Sequence, residues 1–146
     1  MAFDHPIMTK DDLTAFLDQE FPQMHAGGRT YHVEEVGSLS ARMRMDYHER
    51  HLRPGGTLSG PSMMALADLA LYAAILAHIG PVGLAVTTSL NFNFLRKPEP
   101  RGLIADCRLL KLGKRLAVGE ISIFSEGSTD VVCHATGTYS IPDRRR

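Results

Sequence analysis

At 146 residues the chain is the usual size of one domain, long enough to bury a real core and too short for two comfortable ones. Sixteen Lys and Arg balance sixteen Asp and Glu. No global field therefore favours nucleic acid or an anionic membrane, and Arg144-Arg145-Arg146 reads as a short solvated tail.

The first nine residues carry Asp4, His5 and Pro6 and lack the basic start and apolar run of a signal peptide. Thr9-Lys10-Asp11-Asp12 is a helix start, with Thr9 or Asp11 able to cap and acids in the first turn. Leu13, Phe16, Leu17 and Phe21 follow at helical spacing until Pro22, which predicts a helix over about 9–21. Gly27-Gly28 is a turn. From Tyr31 the pattern becomes strand-like, and Ala41, Met43, Met45 and Tyr47 alternate with Arg42, Arg44 and Asp46.

A charged, glycine-rich loop (48–59) leads into a long apolar helix over about 60–79, with Gly60 as its N-cap, Pro61 at the first helical position and Gly80-Pro81 as the stop. This stretch is long enough to span a membrane. Asp68 at mid-span would cost about 2.5–3.5 kcal/mol there, and no positive-inside flank follows. A helix apolar nearly all round and enclosed by protein is the better reading. After it Val86, Thr88, Leu90, Phe92 and Phe94 alternate with Thr87, Ser89, Asn91 and Asn93. Three further strands are predicted near 102–112, 114–125 and 130–140, with turns at Gly113-Lys114 and Glu126-Gly127.

Two of these strands hold Cys107 and Cys133, which lack CxxC or His-rich spacing. They fit buried thiols in a reducing cytoplasm rather than a disulfide framework or a zinc site, and no metal or cofactor is expected. The order of elements predicts a single α+β domain over 1–146, an antiparallel sheet of about six strands curved around one central helix. Such a sheet leaves edges, so pairing with a second copy is expected.

Asp68 is the only Asp, Glu, Lys or Arg between Arg53 and Arg96. A carboxylate in an apolar helix needs dedicated partners: core hydroxyls or backbone N–H groups would make it a brace, and a bordering cleft would make it chemical. The helix start, Thr57 to Ser62, offers backbone N–H groups at Gly60 and Ser62 that could hold a developing oxyanion. Acyl transfer needs both elements, a carboxylate to activate water or attack and a donor set for the tetrahedral charge.

The runs RPGGTLSGPSMMALADLA (53–70) and AVTTSLNFNFLRKP (85–98), followed by GKRLAV (113–118) and ATGTYSIP (135–142), resemble hotdog-fold thioesterases of the phenylacetic-acid, PaaI-like type. The likeness covers about residues 30–142. It implies an acyl-CoA hydrolase working as a homodimer, or a dimer of dimers, with CoA across the interface. Asp68 then matches the nucleophile or general base, Gly60 the N–H that polarises the thioester carbonyl, and Thr87 a hydroxyl contributed by the partner subunit. Lys114 and Arg115 are candidates for CoA contacts, and Met64, with Met63, for an adaptable acyl pocket.

Two positions depart from the family. Its His-Gly-Gly reads Ser59-Gly60-Pro61, and its loop Asn falls at or near Arg53. Arg53 would then meet a ligand anion or pair with Asp68 in the empty site. Loop His48 and His51 read as solvated. The alternatives are a non-catalytic acyl-CoA or aromatic-ligand binding protein and, with less support, a hotdog dehydratase or hydratase.

Overall fold

Residues 4–142 are described in a computed structural model of the chain; Arg144, Arg145 and Arg146 lie outside them. The elements are α1 (Lys10–Glu20), β1 (Tyr31–Gly37), β2 (Ser40–Met45), α2 (Gly60–Ile79), β3 (Val86–Phe94), β4 (Leu103–Leu112), β5 (Leu116–Ser125) and β6 (Val131–Ser140). Short 3-10 turns follow α1 at Pro22–His25 and precede α2 at Glu49–His51. Helix α1 starts as its sequence dictates. Thr9 Oγ1 accepts from Asp12 N while Asp12 Oδ2 accepts from Thr9 N, each at 3.1 Å, a reciprocal capping box.

All six strands form one antiparallel sheet in the order β1-β2-β4-β5-β6-β3. The sheet curves around α2, whose residues Leu66, Ala67, Ala70, Leu71, Ala73 and Leu76 have no solvent exposure. Each Leu or Ile enclosed in this way contributes about 1.5–3 kcal/mol, and the alanines let strand backbones come close. Helix α2, long and apolar enough to cross a membrane, is thus the buried core against which the sheet packs. Leu71 sits over Gly119 and Gly137, opposite each other on β5 and β6, where neither position has a side chain.

Two local features differ from the sequence reading. Ser59, not Gly60, is the N-cap of α2: its side chain accepts from Ser62 N at 3.2 Å, and Gly60 is the first helical residue. Strand β3 is not a regular alternation. Thr87 pairs with Tyr139, Ser89 with Thr138 and Leu90 with Gly137, so Thr88 is an extra residue, a β-bulge. The bulge shifts the phase. Thr87 lies on the same face as Leu90, Phe92 and Phe94, towards α2, whereas strict alternation puts them on opposite faces.

Candidate active site

Asp68 is half-buried on the third turn of α2, and two hydroxyls converge on one of its oxygens. Thr87 Oγ1 donates to Oδ1 at 2.7 Å and Tyr139 OH donates to the same Oδ1 at 2.8 Å. The two donors are cross-strand partners on β3 and β6, so the bulge that turns Thr87 inward is what assembles the pair. Tyr139 is 4% exposed. Burial first, and the Asp68 carboxylate second, push its phenol far above the ordinary tyrosine range, so it stays a donor. Its ring stacks on Tyr72, centroids 5.9 Å apart, and Tyr72 OH donates to Gly83 O at 3.1 Å.

Asp68, Thr87, Tyr72 and Tyr139 border a cavity of about 750 Å³. Its other walls are mainly apolar, from Phe16 of α1, from Phe21 just after that helix and from Pro81, Leu84 and Val86, with Glu20 the other acid. On its other flank Asp68 borders a smaller depression with Phe21, Met24, Tyr31, Arg50 and His51.

The helix start lies elsewhere. Gly60 is eight residues before Asp68, about 12 Å along the axis. It lines a separate cavity of about 610 Å³ with Arg53, Met63, Phe94, Arg96 and Lys97. Within this turn Pro61 has no N–H, Ser62 N is taken by Ser59 Oγ and Met63 N reaches Ser59 O at 3.2 Å. Gly60 N–H has no acceptor among the described residues.

Four sequence expectations change accordingly. Thr87 reaches Asp68 of its own chain, so a partner is not needed to bring this hydroxyl to this carboxylate. Gly60 and Asp68 do not share a cavity within one chain, because two helical turns separate them. Arg53 does not pair with Asp68: it is exposed beside Gly60. Ser62 N–H is used for capping and leaves Gly60 as the open donor.

His51 is buried rather than solvated, at 5% exposure. Its Nε2 meets Thr30 Oγ1 at 3.0 Å and its Nδ1 meets Ser62 Oγ at 3.2 Å, while Ser59 Oγ donates to Ser62 Oγ at 3.0 Å. Arg50 also donates to Thr30 Oγ1, at 2.8 Å; a threonine hydrogen on Nε2 with Nδ1–H donating to Ser62 is one tautomer that satisfies these contacts. Burial, then Arg50 and His48, lower the His51 pKa, in keeping with this neutral tautomer.

Of the other candidates, Met64 is exposed on α2 and Met63 is the one that lines the Gly60 cavity. Lys114 and Arg115 form the exposed turn between β4 and β5 and line neither cavity. Register places that turn at the sheet end occupied by Thr87 and Tyr139, since Ala117 pairs with Tyr139 and Arg115 O accepts from Ile141 N. Both cysteines are buried free thiols, with burial pushing Cys107 up to about 12 and Cys133 to about 11. Among the described residues no cluster of His, Cys, Asp or Glu is placed to hold a metal.

Tyr139 was not singled out from sequence. The available signal was β6 itself, where Cys133, Ala135, Gly137 and Tyr139 alternate inward and end on the one large polar side chain of that face.

Residues 55–132 match the family described as the Thioesterase superfamily. The chain belongs to that superfamily. A crystal structure of an inferred thioesterase from Silicibacter sp. TM1040 superposes with a TM-score of 0.87 at 48% identity, covering 96% of each chain. A mutant form of the phenylacetic acid degradation protein PaaI from Thermus thermophilus gives a TM-score of 0.70 at 28% identity, covering 83% of this chain and 99% of that one. An inferred esterase of Saccharolobus solfataricus is 24% identical over 135 residues, 92% of this chain and 81% of that protein. The PaaI-like hotdog resemblance is therefore shown, and this superfamily member is a hydrolase of the thioesterase and esterase type.

Proposed function

We propose that the protein hydrolyses acyl-CoA thioesters to a free acid and CoA, with Asp68 as general base, at a site completed by two copies of the chain. The observation that carries this reading is a carboxylate held by two hydroxyls at the edge of a mainly apolar cavity, in a chain of the thioesterase superfamily. The cavity is of the size that takes a small acyl group.

The second copy is argued from β3. This strand pairs only with β6, and Leu84, Val86, Phe94 and Leu95 on or beside it are between 47% and 78% exposed, an edge of the kind proteins rarely leave open. Its Thr87 end touches Asp68, and at its other end Phe94 lies against Gly60, 3.5 Å from where a Gly60 Cβ would be. Antiparallel pairing of two β3 edges about a twofold axis would bring the Gly60 end of one chain beside the Asp68 end of the other. The free Gly60 N–H of the partner subunit then faces the carbonyl that water attacks. Arg53, Arg96 and Lys97 around that turn suit the phosphates of CoA.

In the reaction Asp68 takes a proton from water as the water oxygen bonds to the thioester carbon. The oxyanion is held by the Gly60 N–H. Collapse breaks the C–S bond, and the proton passes from Asp68 to the leaving sulfur, giving the acid and the thiol.

The test is thiol release from a panel of acyl-CoAs. Asp68→Asn should lower turnover by at least about 100-fold while keeping the dimer and the melting temperature, because the amide oxygen still accepts from Thr87 and Tyr139. Turnover within twofold of wild type in Asp68→Asn, or tight CoA binding without any thiol release by the wild type, would overturn the proposal.

A further inference from the structure

We propose that Tyr139 is a positioning residue for Asp68: its phenol, together with Thr87, ties down Oδ1 and leaves Oδ2 as the oxygen that takes the proton from water. The proposal rests on the hydrolase reading of Asp68 and adds to it which oxygen reacts and what selects it.

The geometry is specific. Both donors end on Oδ1, at 2.7 and 2.8 Å, and no described residue bonds to Oδ2, while Asp68 borders open cavities on two flanks. Two donors on one oxygen draw negative charge towards it and stop the carboxylate from rotating about its Cβ–Cγ bond, so the two oxygens are no longer equivalent. Tyr139 is also locked from behind. It is nearly fully buried, it stacks on Tyr72, and Tyr72 is fixed in turn to Gly83 O. The phenol is therefore held against Asp68, with Oδ1 at 2.8 Å the nearer acceptor and the Asp68 backbone carbonyl at 3.5 Å, and it cannot swing to solvent.

The ionisable neighbours that border Asp68 come from five sources. Tyr72 lies on α2, Glu20 on α1 and Tyr139 on β6 in the larger cavity; Tyr31 of β1 and the Arg50–His51 turn border the other flank. Glu20 and Arg50 are the charged members of this set, and the hydroxyl pair is its neutral part. Tyr139→Phe removes one donor to the charged form and leaves every formal charge in place.

The experiment is the pH dependence of acyl-CoA hydrolysis by Tyr139→Phe and wild type. The acid limb of kcat/KM should move up by about one pH unit, and kcat should fall about tenfold with KM within about twofold. Superimposable acid limbs, in a variant with wild-type circular dichroism and association state, would reduce Tyr139 to a packing residue.

Two further measurements separate the outcomes. The ¹³C titration of the Asp68 carboxyl, assigned by its absence in Asp68→Asn, needs no turnover, and its midpoint should move up in Tyr139→Phe. If the wild type hydrolyses no thioester, the hydrolase reading fails, and this titration still decides whether Tyr139 couples to Asp68. Where Tyr139→Phe does not fold, 3-fluorotyrosine placed at 139 keeps the shape and makes the phenol a stronger donor. Limb and midpoint should then move to lower pH, and no movement would overturn the proposal.

Discussion

The depth at which α2 lies on the sheet is set by two missing side chains, and Gly137→Ala tests this directly. A Cβ built at Gly137 would lie 2.6 Å from Leu71 Cδ2 and 2.6 Å from Leu90 Cδ2, with Ser89 O at 3.4 Å. An ordinary carbon–carbon contact is about 3.5–4.0 Å, so a methyl on each side must retreat by about 1 Å. Leu71 has no exposed area and already fills the space over Gly119, where a Cβ would again be 2.6 Å away. On the Leu71 side the strain cannot be passed to solvent, and overpacking of this kind costs about 1–3 kcal/mol. In a chain near this size each kcal/mol is worth about 2–4 °C in melting temperature.

Leu71 lies one turn beyond Asp68 on the same helix, and Gly137 is two residues from Tyr139 on the same face of β6. A shift of α2 should therefore lengthen the Tyr139–Asp68 bond and lower kcat. Leu71→Ala alone should cost about 3–5 kcal/mol by leaving a cavity. In that background Gly137→Ala meets only Leu90 and partly refills the space, so the two changes should couple favourably by at least about 1 kcal/mol. Urea unfolding of the four proteins in the cycle measures it. A melting temperature for Gly137→Ala within about 1 °C of wild type, or additive costs in the cycle, would refute the reasoning.

Two other outcomes follow from particular contacts. Thr87→Val should lower kcat about tenfold by removing a hydrogen bond to a charged group, whereas Thr88→Val, whose hydroxyl reaches Thr138 O at 3.2 Å on the exposed side, should stay within about twofold; steady-state kinetics of the pair would expose a misplaced bulge if the order reversed. His51 is held neutral in the fold, below the ordinary imidazole value of 6.5, so the unfolded chain binds the extra proton first. Its stabilising contribution is complete above that value and is lost as pH falls through it. Melting temperature should drop between about pH 7.5 and 5, and less so in His51→Gln; parallel curves for the two proteins would show that His51 does not contribute.

The fold was legible because its signals are local. Thr9 and Asp12 cap α1, the apolar run 60–79 with Asp68 inside it reads best as a core helix, and β4 to β6 alternate and turn at glycines, so one helix inside an antiparallel sheet follows from period and turn chemistry. Asp68 was legible for the same reason, as the one charge in that run. What depended on contacts between distant segments was not. Thr88 as a bulge is invisible in a stretch that alternates evenly on paper, because only the pairing with β6 shows which residue is extra, and that pairing turns Thr87 to the helix. Tyr139 lies 71 residues from its partner Asp68 and has no local mark of that role. The separation of Gly60 from Asp68 is read from the rigid rise of one helix once both are known to face different cavities. Composition and periodicity thus determined the elements, the core helix and its single carboxylate; tertiary structure decided which hydroxyls hold that carboxylate, since cross-strand register and helix depth are properties of the packed sheet and not of any one segment.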